Sequence, residues 1–147
     1  MQIAGLAIPY GVPNSYAETF TPDTLGNAYL SRLTELPMLF DHERKKIVGF
    51  WTDFDSTPSG LYVRGKVTDP AMIEKVERTP EAKRKLSISY SWFAPGKAAR
   101  DARVNWHASE QAQRFVYDPI TIGTAMLSEI SIVESPAWKE SFYQVIT

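Results

Sequence analysis

The stretch from 47 to 67 constrains the fold of this chain more than any other. Two β-rich runs, residues 47–54 and 61–67, flank Asp55-Ser56-Thr57-Pro58-Ser59-Gly60. Proline presets a turn dihedral and glycine tolerates positive φ, so the segment reads as a β-hairpin. Short extended runs of the same kind recur at 2–10, 17–20, 37–40, 86–93, 115–117, 120–124 and 127–133. Helical signals are few. Thr21-Pro22-Asp23 supplies an N-cap and a first-turn proline for a short helix to about Leu33, and Asp69-Pro70 caps a second helix with Met72, Ile73 and Val76 on one face. Six or more short strands without βαβ alternation predict a mainly β fold with peripheral helices, a mostly antiparallel barrel or sandwich. Residues 94–114, rich in Ala, Gly, Lys, Arg and Gln, read as a solvated loop, the functional alternative being a loop that contacts substrate or partner.

A chain of 147 residues is near the size of one domain, and 1–147 is expected to be one. With 16 Lys+Arg against 17 Asp+Glu, its charge gives no argument for nucleic acid or an anionic membrane as partner. Cysteine is absent, which excludes disulfides, a thiol nucleophile and thiolate metal sites. The two histidines, His42 and His107, make a poor zinc site on their own, so no metal or other cofactor is expected. The first nine residues lack a basic n-region and a long apolar h-region, and no apolar run approaches the ~20 residues of a bilayer span. The expectation is a soluble intracellular protein.

Three segments carry groups suited to proton relay: Leu39-Phe40-Asp41-His42-Glu43, Leu86-Ser87-Ile88-Ser89-Tyr90, and Leu127-Ser128-Glu129-Ile130-Ser131. Strand alternation puts Ser87, Ser89 and Ser91 on one face, opposite Leu86, Ile88, Tyr90 and Trp92. A half-exposed edge strand with its serines in water explains that stripe without chemistry. His42 follows Met38 and Phe40 at even spacing, which predicts that it shares their inward face. An imidazole titrating near 6.5 suits removal of a serine proton at neutral pH, although a lone strand-end histidine is commonly structural. Glu129 shares a face with Leu127 and Ser131. A carboxylate in so apolar a strand needs hydrogen bonds. Bonding to His42 would meet that need and orient the ring, while pairing with Lys or Arg is the competing reading, and Asp41 or Glu43 is an alternative third member. His107, beside Trp106 in the polar stretch, reads as surface.

In this order the motifs resemble the phage prohead maturation proteases of the HK97 type, relatives in fold of the herpesvirus assemblins. The resemblance rests on Leu39-Phe40-Asp41-His42, on Gly60-Leu61-Tyr62-Val63 in the return strand of the hairpin, on Leu86-Ser87-Ile88-Ser89-Tyr90, and on Leu127-Ser128-Glu129-Ile130-Ser131-Ile132-Val133 with Pro136-Ala137. It implies an antiparallel β-barrel of the assemblin type. It also implies a serine endopeptidase that trims phage scaffold protein or the major capsid protein precursor, and often itself, inside the procapsid in the host cytoplasm. The family histidine falls on His42, its nucleophile on Ser87 and its acid on Glu129. Where the family commonly has Gly-Phe, this chain has Ser89-Tyr90, which makes Ser89 a second nucleophile candidate. The alternative function is an inactive relative that binds an extended capsid-protein arm as an assembly factor; intact His42 and Ser87 argue against it. An assembly of identical copies is left open, as are the oxyanion donors, with Gly123, Gly96 and amides of the basic loop as candidates.

Overall fold

The structure, a computed structural model, describes residues 1–94, 104–108, 113–117 and 119–146, with side chains described outside 92–118. Its strands are β1 (Gln2–Pro9), β2 (Glu18–Thr19), β3 (Leu36–Phe40), β4 (Gly49–Thr57), β5 (Gly60–Val67), β6 (Lys85–Ala94), β7 (Val104–Ala108), β8 (Gln113–Tyr117), β9 (Ile120–Thr121), β10 (Thr124–Val133) and β11 (Phe142–Val145). Helices α1 (Pro22–Leu25), α2 (Asn27–Arg32) and α3 (Pro70–Arg78) lie between them, with a 3-10 turn at Glu81–Lys83.

Seven strands form one sheet in the order β11-β1-β5-β4-β3-β10-β6. The anticipated hairpin is its centre: β4 and β5 pair antiparallel around Pro58-Ser59, with Thr57 opposite Gly60. The sheet curls until its two ends meet. Tyr143 N donates to Arg84 O at 3.3 Å, and Ser141 Oγ accepts from Leu86 N at 3.2 Å and donates to Leu86 O at 2.7 Å. A buried serine thus serves as a rung where the backbones of β6 and β11 are too divergent to pair. Inside the curl lie Ile3, Ile8, Trp51, Leu61, Val67, Ile130 and Tyr143, all nearly inaccessible. Each fully buried aliphatic side chain contributes about 1.5–3 kcal/mol. On β5 the alternation of buried Leu61, Val63 and Val67 with exposed Arg64 and Lys66 is the period-two pattern of a strand with one face in the core.

The helices form where their caps predict. Asp69 accepts from Met72 N at 2.9 Å, Pro70 opens α3, and Met72 and Val76 are buried. Thr21 and Thr24 form a reciprocal capping box at α1. The single helix anticipated to Leu33 is divided at Gly26, whose φ of 80° lies in the left-handed region that glycine tolerates.

Three features differ from the sequence expectation. Within the seven-stranded sheet one pair is parallel, β3 with β10, so the otherwise antiparallel barrel has a crossover at the strands that matter most below, and the short β2–β9 pair beside it is parallel too. Residues 104–108, expected within a loop, form β7 and pair with β8, Trp106 opposite Phe115. The terminal strand β11 was not anticipated, because Phe142-Tyr143-Gln144-Val145 is short and gains its pairing only from β1.

Candidate active site

Glu129 is held by a local irregularity in β10. The β10–β6 register shifts between Leu127 and Glu129, after which Glu129 faces Ser89 and Ser131 faces Ser87. The extra residue is Ser128, and the disturbed backbone is braced by Tyr29 of α2, whose hydroxyl accepts from Leu127 N at 3.1 Å. Past the shift, residues directly opposite project from the same face, so Glu129, Ser131, Ser87 and Ser89 form one polar patch. Glu129 is 3% exposed, Ser87 5% and Ser131 0%. Only Ser91, further along β6, is exposed to the degree that the water-facing reading requires.

His42 arrives by a different route from the one its spacing predicted. It does not continue β3, which ends at Phe40, and it does not share the inward face of Met38. Glu43 N donates to Phe40 O at 3.0 Å across a turn whose central residues, Asp41 and His42, have φ of 48° and 59°. Two consecutive positive φ values are the signature of type I′ geometry, which Gly, Asn and Asp favour and most other side chains avoid. The turn folds the imidazole back over β10, beside the partner strand of β3, and this is why the parallel β3–β10 pair matters.

The imidazole Nδ1 makes a short contact with Glu129 Oε1. Ser89 Oγ donates to the same carboxylate oxygen at 2.6 Å and lies 3.2 Å from Nδ1. Ser131 Oγ donates to Glu129 Oε2 at 2.6 Å and accepts from His42 N at 3.0 Å. Burial pushes the Glu129 carboxyl up, but the hydrogen bonds from His42, Ser131 and Ser89 outweigh it and hold the group below its usual range. The bond to Glu129 raises His42 above 6.5 against the opposing effect of burial, with Asp41 adding to the rise and Arg44 opposing it. Glu129 is therefore an ionised, fully bonded acceptor, and no Lys or Arg pairs with it among the described residues. Glu43 turns instead to Lys45 N.

Ser87, Ser89 and His42 line one cleft of about 580 Å³, together with Arg44, Tyr90 and the segment from Ser135 to Trp138. A larger groove of about 920 Å³ between α3 and the ends of β6 and β10 contains neither serine, nor His42, nor Glu129. The candidate site is in the smaller one. Where Ser89-Tyr90 replaces the commoner Gly-Phe, each polar group finds a carboxylate: Ser89 on Glu129, and the Tyr90 hydroxyl on buried Glu18. The Tyr90 ring stands edge-on to Phe20 at 4.9 Å. Sequence reading placed Ser131 on the face of Glu129 but gave it no part, although a hydroxyl two residues from a buried acid on one face was the available signal. His107 falls on β7 with its side chain outside the described residues, Gly96 lies outside the described residues altogether, and Gly123 does not line the cleft.

The fold is that of a herpesvirus protease. Kaposi's sarcoma-associated herpesvirus protease, in complex with a hexapeptide phosphonate inhibitor, aligns at a TM-score of 0.57 and 15% identity over 98% of this chain and 64% of its own. The same viral protease with an allosteric inhibitor aligns at 0.51 and 14% identity, over 97% of this chain and 73% of its own. This chain thus spans under two thirds of the first of those proteins. No curated protein matches it in sequence. The profile of the caudovirus prohead serine proteases matches residues 1–147, and the chain belongs to that family.

Proposed function

We propose that this serine peptidase cleaves peptide bonds with Ser87 as nucleophile, His42 as general base and then general acid, and Glu129 as the group that orients the imidazole. The observation that carries this reading is the bond between His42 Nδ1 and Glu129. A triad needs its acid on one ring nitrogen and its nucleophile on the other. With Nδ1 facing Glu129, Nε2 is the atom left to accept a serine proton, and it makes no hydrogen bond among the described residues. Ser89 sits on the Nδ1 side and already gives its proton to the acid, so it serves the carboxylate rather than the attack. Ser87 lines the same cleft and makes no hydrogen bond to a carboxylate among the described residues. Ser87 and His42 share the cleft without a hydrogen bond between them among the described residues, and the reading requires Ser87 Oγ to reach Nε2 when substrate binds, as catalytic hydrogen bonds commonly tighten in the complex.

Membership of the prohead family supports phage scaffold protein or the scaffolding arm of the major capsid protein precursor as substrate, with self-cleavage, inside the assembling procapsid. Residues 1–147 are taken to act as one domain. Co-expression with the capsid precursor tests the assignment. Ser87→Ala and His42→Ala are expected to abolish processing, since loss of a triad member costs about four to six orders of magnitude in turnover. Ser89→Ala is expected to retain measurable cleavage. Processing by Ser87→Ala but not by Ser89→Ala would move the nucleophile to Ser89. A wild-type protein that binds the precursor and leaves it intact would favour an assembly factor.

A further inference from the structure

We infer that Ser131 is a positioning residue that locks base and acid together, holding the main chain of His42 and the carboxylate of Glu129 with one hydroxyl. The inference rests on the proposed roles of His42 and Glu129 and goes beyond them.

Hydrogen-bond accounting fixes the direction of both contacts. A serine hydroxyl has one proton and two acceptor sites. His42 N–H can only donate, at 3.0 Å, and ionised Glu129 can only accept, at 2.6 Å. Ser131 therefore accepts from the base's backbone and donates to the acid, and reversing either is impossible while Glu129 is charged. Its 0% exposure keeps water from taking over either bond.

The need for such a lock follows from the turn. Asp41 and His42 both occupy the left-handed region; Asp and His enter it more readily than most side chains, but two in succession still cost free energy that surrounding contacts must offset. Asp41 N is tied to Ile132 O and Glu43 N to Phe40 O, both through backbone. The amide between them, that of the base itself, has a side chain as its partner. Because that side chain also grips Glu129 Oε2, the Oε1 atom is presented to Nδ1 from a carboxylate fixed at both ends, with Ser89 as its other neighbour. The charged groups acting on the imidazole are Glu129, Asp41 and Arg44.

The test compares Ser131→Ala with Ser131→Thr, which keeps the hydroxyl. Imidazole NMR titration of His42 is done in a Ser87→Ala background to prevent autolysis, and kcat and KM are measured with Ser87 intact. In Ser131→Ala the His42 midpoint is expected to fall toward 6.5 as the ring disengages, with kcat reduced about 10- to 100-fold and KM within about twofold. Ser131→Thr is expected to restore the midpoint and most of kcat. A His42 midpoint that stays or rises in folded Ser131→Ala overturns the inference, as does a kcat per folded molecule within twofold of wild type. If Ser131→Thr does not fold, Ser131→Ala alone decides by the same two readouts. The titration is read whether or not Ser87 is the nucleophile. A wrong nucleophile therefore shows in the processing assay, and a wrong positioning role in the titration.

Discussion

At the scale of single residues, the pairing of His42 with Glu129 makes stability and activity depend on pH in opposite ways. A histidine with a raised folded pKa stabilises fully below its unfolded value near 6.5, and that contribution is lost as pH rises through the folded value. Glu129, with a depressed folded pKa, stabilises fully above its unfolded value near 4.5, and that contribution is lost as pH falls through the folded value. Both operate in full between about 4.5 and 6.5. A general base must be neutral, so the acid limb of kcat/KM is expected to have its midpoint above about 6.5. Glu129→Gln is predicted to move that midpoint down toward 6.5, to lower kcat by about 10⁴-fold, and to remove the stability difference most visibly inside the 4.5–6.5 window. Thermal melts and pH–rate profiles of the two proteins check the pair of predictions. An acid limb unmoved by Glu129→Gln would separate the carboxylate from the base.

At the scale of elements, the site depends on two local departures from regular strand geometry. One is the register shift in β10 that turns Glu129 toward Ser89, braced by the Tyr29 hydroxyl on Leu127 N. Tyr29→Phe removes the brace and leaves a buried amide without its partner, which is expected to cost about 1–3 kcal/mol in urea denaturation. It is also expected to lower kcat more than it raises KM, since the acid sits two residues from the loosened amide. The other is the Phe40–Glu43 turn. Here sequence legibility had a definite limit. Met38, Phe40 and His42 alternate as a strand would, and the alternation predicts an inward-facing His42 that the structure does not have. The alternation stops at Phe40 because Asp41 and His42 turn the chain with two positive φ values, and the groups that receive their amides, Ile132 O and Ser131 Oγ, are remote in sequence. The β4–β5 hairpin, the caps of α1 and α3, and the polar patch of β6 were legible because each is encoded within about ten neighbouring residues.

At the scale of the whole molecule, a seven-stranded sheet curls until β11 lies close to β6. That closure was only partly readable. The mainly β class follows from the turn signals, whereas β11 and the parallel β3–β10 pair depend on partners far along the chain. The β1–β11 seam, which carries β11 into that position, requires Gly5, since a Cβ there would lie 1.9 Å from Phe142 O. Gly5→Ala is expected to force β11 off β1, to cost roughly 1–3 kcal/mol or more, and to expose the β11 amides to hydrogen exchange while β4 and β5 stay protected. Uniform protection across β11 in that variant would show that the seam tolerates the methyl group.

The central claim is that His42, oriented by Glu129, activates Ser87. Mass-spectrometric mapping of the residue modified by a fluorophosphonate tests it most directly, because only an activated hydroxyl reacts readily. The account predicts adduct on Ser87 in the wild-type protein and its loss in His42→Ala. Adduct on Ser89, or labelling of Ser87 that persists without the imidazole, would contradict it.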